Sequence, residues 1–416
     1  MSMVDPEMRY RTRRRLIYKC LVIMLPLVFV IFPGQPGPSS AGSSSDSIES
    51  RLGPKDGVML TDKNGELLFG HNICKKLIPA STLKILTALA ALHHLGPDYR
   101  FPTEFYVNDE NDLIIKGYGD PLLVSETVEH IAHILNNRLK RVRDIVLDDS
   151  YFKRPIDIPG VAADTLQPYN APNGALCVNF NTVYFKSENG RIVSAEPQTP
   201  MLPIALARIR EKKLSSGRIL LSDKAGDMRL YAGQLFRYFL SQAGLEPIGG
   251  IRTGNVRSDQ DRLVYRHVSD YKLTTIIEKL FKYSNNYTAN QILLAISAKV
   301  HGPPADIEKG VHVLTEYCKT HLSIEDIQLA EGSGISRENR VSAGMLVKIL
   351  DAFAPYYTLM PHTERIYFKT GTLDGIQTRV GYIESKKKGL YRFVILLNAK
   401  GKRVAPILSE ISQLVP

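Results

Sequence analysis

Ser81-Thr82-Leu83-Lys84-Ile85-Leu86-Thr87-Ala88-Leu89-Ala90-Ala91-Leu92-His93-His94 is apolar on nearly every face and is stopped by Gly96-Pro97. Such a run reads as a buried helix. Ser81 in its first turn shares a helix face with Lys84, three residues on, so the lysine can reach the serine hydroxyl. The free amides at a helix start, with their partial positive charge, favour an oxyanion nearby. Burial with other cations close by depresses a lysine by about three pKa units, roughly 4 kcal/mol, which makes an ammonium into a base. The spacing alone is cheap, since Ser150, Ser269 and Ser385 also precede a lysine by three. None of those serines sits in an apolar helix.

Upstream, Gly57 to Leu60 and Leu67 to Phe69 flank the turn Asn64-Gly65, which predicts a short hairpin. Downstream, a helical pattern from Tyr271 runs into Ser284-Asn285-Asn286, and another resumes at Ala289. A Ser-Asn-Asn string at such a junction is in itself a helix cap. Near the C-terminus the period changes to that of strands. Arg365 to Lys369, Gln377 to Ile383 and Tyr391 to Leu397 are separated by the turns Asp374-Gly375 and Lys388-Gly389. With the hairpin they predict an α+β fold: a five-stranded antiparallel sheet covered by helices, closed by a helix over Val404 to Leu414, with Lys369 facing a cleft.

Length and composition bound what else the chain holds. At 416 residues, 44% hydrophobic and 23% charged, it is globular and exceeds one typical domain. Six basic residues from Arg9 to Lys19 precede the apolar run Cys20 to Phe32. Residues 1–41 therefore read as an export signal, cut before Gly42 or kept as a membrane anchor, and the protein is expected in the periplasm or on the outer face of the cytoplasmic membrane. The Pro, Gly and Ser stretch Pro33 to Ser45 is read as irregular. The net charge of +11 suits anionic envelope polymers, and no basic cluster interleaved with aromatics points to nucleic acid. Cys74, Cys177 and Cys318 lack the spacing of a disulfide framework or a zinc site, and His130 and His133 have no acidic third ligand at metal spacing. No metal or cofactor is called for.

Ser81-x-x-Lys84, Ser284-x-Asn286 and Lys369-Thr370-Gly371, in that order, resemble the motifs of the penicillin-recognising serine enzymes. Gly119-Asp120-Pro121, Asp148-Asp149-Ser150-Tyr151-Phe152, Ala171-Pro172 and Gly332-Ser333-Gly334-Ile335-Ser336-Arg337 are similar to class C low-molecular-mass penicillin-binding proteins. Those are D-alanyl-D-alanine carboxypeptidases and endopeptidases. The resemblance implies a β-lactamase/transpeptidase-like catalytic domain split between residues 42–97 and 258–416, with one or two accessory domains inserted at 98–257. Ile335 stands where the family usually has leucine.

The resemblance also implies roles. Ser81 attacks the carbonyl between two D-alanines of a peptidoglycan stem peptide, and Lys84 takes its proton. Ser284 relays a proton to the leaving amine, Asn286 binds a substrate carbonyl, and Lys369 lowers the proton affinity of Ser284 and Lys84. The amides of Ser81 and Thr372 form the oxyanion hole. Lys369, Thr370 and Thr372, with Gly371 between them, receive the terminal carboxylate. Arg337 and Asp148 are expected to contact the charged side chain of the preceding residue. β-Lactams would acylate Ser81 as covalent inhibitors. A serine β-lactamase uses the same trio, although the long insertion argues against a compact one. A wall-binding protein with a silent site is the non-enzymatic alternative.

Overall fold

The computed structural model describes residues 41–162, 165–222 and 225–416. The expected export segment lies outside the described residues except for Ala41, which opens a helix, Ala41–Arg51. That helix corrects the reading of Ala41 to Ser45 as irregular. Its wholly buried Ile48 shares a core with Ile407 and Ile411 of the closing helix Val404–Gln413, and Arg51 bonds Glu410. Tertiary packing of this kind outweighs weak local propensity.

The main sheet holds six antiparallel strands in the order His362–Thr363, Ile366–Leu373, Ile376–Ser385, Gly389–Leu397, Asp56–Thr61 and Leu67–His71. Five are the expected ones. The sixth, His362–Thr363, pairs only with Tyr367 and Ile366, and a two-residue edge strand has no periodicity for a sequence reading to detect. Asp56–Thr61 pairs with Gly389–Leu397 from Asp56 opposite Leu397 to Thr61 opposite Arg392, so the two ends of the described chain complete one sheet.

Alternation along the strands gives the sheet two buried faces. Val58 and Leu60 meet the closing helix, whereas Met59, Val380 and Val394 face the helical core. Helix Lys84–His94 runs through that core, with Leu86 and Ile85 wholly buried. Truncating Leu86 to alanine would therefore cost about 2–5 kcal/mol.

A second sheet has the order Arg262–Val268, Pro102–Val107, Leu113–Gly117, Ile145–Asp148 and Ile251–Thr253. Helices Ser125–Arg138 and Ala225–Gln242 pack on one of its faces through Ile131, Leu135, Leu235 and Phe236. A three-stranded sheet, Arg191–Ser194, Thr182–Glu188 and Ser216–Leu220, adds Val183, Phe185 and Ile219 to the same core. Strand pairing carries this region to Val268, past the expected limit at residue 257.

Gln291 ties it to the main helical layer. The buried amide accepts from Asn173 Nδ2 and Gly174 N and donates to the carbonyls of Gly119 and Gly174.

Candidate active site

Ser81 does not start an α-helix. Ala80–Leu83 is a 3-10 turn, and the α-helix begins at Lys84. Ala80 takes a left-handed φ of 49°, and the Pro79 carbonyl before it accepts hydroxyl hydrogens from Thr82 (2.7 Å) and Thr378 (2.8 Å). The tighter turn eclipses residues three apart, which sets Lys84 Nζ 2.9 Å from Ser81 Oγ. Ser81 stays half-exposed while Lys84 is wholly buried.

Helix Leu273–Tyr283 ends at Ser284, which is left-handed (φ 53°, ψ 34°). Asn285 is extended and caps helix Asn286–His301, its Oδ1 accepting from Thr288 N at 2.9 Å. The cap reading and the catalytic reading thus fall on different residues. Asn285 caps, and the reversal at Ser284 leaves its two neighbours free to turn inward. Asn286 Oδ1 accepts from Lys84 Nζ at 2.7 Å, and Ser284 Oγ accepts from Lys369 Nζ at 2.7 Å. Lys369 is buried on Ile366–Leu373 and also donates to the Thr370 carbonyl.

Strand alternation puts Lys369 and Gly371 on the buried side and Thr370 and Thr372 on the exposed side. Gly371 is where the strand passes closest to the 3-10 turn. A Cβ there would lie 2.9 Å from Ser81 N and 2.3 Å from Thr378 Oγ1.

Burial is the main cause that holds the Lys84 amine well below an ordinary lysine, with the Lys369 charge adding to it and the Glu331 carboxylate opposing it. Burial also lowers Lys369, to about 8. A neutral Lys84 has two hydrogens, and two fixed acceptors are in reach: Asn286 Oδ1 and the Ser333 carbonyl at 2.6 Å. Its lone pair is left for the Ser81 hydroxyl.

Sequence reasoning took Gly332-Ser333-Gly334 as a tight turn and overlooked the carboxylate that shapes it. Glu331, wholly buried, accepts from the amides of Ser333, Gly334 and Ser336 and from the side chains of Asn290 and Asn339. Gly334 has φ +83°, and a Cβ there would lie 1.9 Å from the Ala80 carbonyl. The turn is thereby pressed against the serine turn and aims the Ser333 carbonyl at Lys84. An acid directly before Gly-Ser-Gly was the available signal. The Tyr169 carbonyl, which accepts from Asn286 Nδ2 at 3.2 Å, had none.

Arg337 and Asp148 have different partners. Arg337 is exposed and donates to the Asp374 carbonyl in the turn after Ile366–Leu373. Asp148 is buried in the second sheet, where Ser150 N, Ser150 Oγ and Val256 N donate to it and Lys116 Nζ lies at 3.9 Å. These partners hold the Asp148 carboxylate in place within the second sheet. Among the described residues no group of three or more His, Cys, Asp or Glu side chains could hold a metal ion.

Residues 48–216 and 215–364 match the family described as D-Ala-D-Ala carboxypeptidase 3 (S13). A D-alanyl-D-alanine carboxypeptidase of Actinomadura sp. (strain R39) is 26% identical over 346 residues, 72% of this chain and 64% of that one, so the chain spans slightly less than two thirds of that relative. D-alanyl-D-alanine carboxypeptidase DacB of Haemophilus influenzae is 23% identical over 88% of each chain. The crystal structure of penicillin binding protein 4 from Haemophilus influenzae shares the fold, with a TM-score of 0.73 and 21% identity over 89% of this chain and 98% of that one. The matched segments cover well over half of the chain and contain both Ser81–Lys84 and Ser284–Asn286, and the chain belongs to the D-Ala-D-Ala carboxypeptidase 3 (S13) family.

Proposed function

We propose that the protein is a serine-type D-Ala-D-Ala carboxypeptidase that also acts as a DD-endopeptidase on peptidoglycan stem peptides outside the cytoplasmic membrane. The observation that carries this reading is the pairing of Lys84 with two fixed acceptors and one hydroxyl. Lys84 removes the Ser81 proton as Oγ adds to the D-alanine carbonyl. The amides of Ser81 and Thr372 hold the oxyanion. Ser284 passes a proton to the amine as the C–N bond breaks, and water then hydrolyses the Ser81 ester. Asn286 Nδ2 takes a substrate carbonyl in place of that of Tyr169.

Lys369, with Thr370 and Thr372, receives the terminal carboxylate, and Arg337 and Asp148 contact the charged side chain of the preceding residue. The same reading treats residues 98–257, with the strand that follows them, as accessory structure, residues 1–41 as the export segment, and β-lactams as acylating inhibitors. D-alanine release from a stem pentapeptide tests it. Wild type should release D-alanine and Ser81→Ala should not; equal release from both would refute the mechanism. A fluorescent penicillin should label the enzyme for a prolonged time, whereas rapid turnover of the label would mark a β-lactamase.

A further inference from the structure

A cavity of about 480 Å³ opens beside the Ser284 turn. Its wall includes Tyr283 and Asn285, which flank Ser284, and Pro168, which precedes the Tyr169 carbonyl bonded to Asn286. The cavity is therefore lined by residues next in sequence to Ser284, Asn286 and Tyr169. Its volume lies in the range of ligand sites, and it is mostly apolar with a few polar groups.

Two cations reach it. Arg218 is already paired with Glu196 and lies over the Tyr184 ring. Lys279 Nζ sits 5.2 Å from the centre of the Tyr271 ring, and among the described residues no carboxylate pairs with it. Ring and ammonium together leave an uncompensated positive charge at the edge of an apolar hollow.

Removal of a single D-alanine needs no such space. In a cross-link, the amine released beside Ser284 carries a second stem peptide, with its own free carboxylates, and that strand has to continue past the serine that protonates it. We propose that this cavity is the subsite for the leaving strand of a cross-linked stem peptide, with Lys279 receiving one of its carboxylates. The inference rests on the endopeptidase part of the function proposed above. The bond broken joins the D-alanine carbonyl to the second strand's amine. That amine departs with the proton from Ser284, and the acyl group stays on Ser81 until water releases it.

The test uses the purified full chain, a monomeric pentapeptide and a cross-linked dimeric muropeptide. Lys279→Glu should raise KM for the dimer about fivefold, the factor corresponding to roughly 1 kcal/mol, with both constants for the monomer unchanged. An unaltered rate of acylation by penicillin shows that the variant is folded. Equal changes for both substrates, or none for the dimer, would overturn the subsite. A wild type that trims the monomer but never opens the dimer overturns it too while leaving the carboxypeptidase reading intact. Inactivity on both substrates overturns that reading as well.

Discussion

A lysine amine held by Asn286 Oδ1 and the Ser333 carbonyl has a lone pair for Ser81 only when it is neutral. The sign of the pH dependence follows. Below the lowered pKa of Lys84 the ammonium cannot accept the Ser81 proton, so kcat/KM should rise as pH passes through it. Above about 8, Lys369 loses its charge, and if that charge holds the substrate carboxylate as proposed, kcat/KM should fall again. A pH–rate profile checks both limbs. Lys84→Ala should slow acylation by about 10²- to 10⁴-fold, measured with penicillin at saturating base. Glu331→Gln bears on the neighbouring turn. Removing a negative charge that favours protonated Lys84 should move the acid limb to lower pH. The new amide hydrogens would face backbone N–H groups, costing roughly 1–3 kcal/mol in thermal unfolding. The motifs holding Ser81, Lys84, Ser284, Asn286 and Lys369 were legible as short strings in a fixed order, and the structure joins Ser81, Lys84 and Asn286 in one set of hydrogen bonds and Ser284 with Lys369 in another. Glu331 left only a faint signal, an acid before Gly-Ser-Gly, since the amides that it binds face it only once the turn closes.

At the scale of elements, the site is built from interruptions. The helix expected from Ser81 begins at Lys84 because Ala80 is left-handed and two hydroxyls converge on the Pro79 carbonyl, one of them from Thr378, remote in sequence. No local pattern signals such a contact. The Ser284 reversal was legible as a junction between two apolar periods, and the Asn285 cap is the device that makes it sharp. Asn285→Ala should lower stability by about 0.5–2 kcal/mol in a denaturation curve. Asn285→Asp, which retains the cap oxygen, should recover most of that loss.

For the molecule as a whole, the 202 residues between Ser81 and Ser284 announced an insertion, yet not how it docks. Gln291, buried on helix Asn286–His301, makes that joint through four hydrogen bonds. Gln291→Leu should cost several kcal/mol, since each buried partner left unpaired costs about 1–3 kcal/mol, and the melting temperature should drop. The setting of Asp148 was illegible for a related reason. Its neighbours Val256 and Lys116 come from separate strands and loops of the second sheet, whose strand order no hairpin signal encodes.

The account stands on Ser81 being the acylated residue and Lys84 its base. Peptide mapping by mass spectrometry after exposure to benzylpenicillin measures this directly. The account predicts a stable adduct on the peptide containing Ser81, absent from Ser81→Ala and formed far more slowly by Lys84→Ala. An adduct on another residue, or undiminished labelling of either variant, would contradict it.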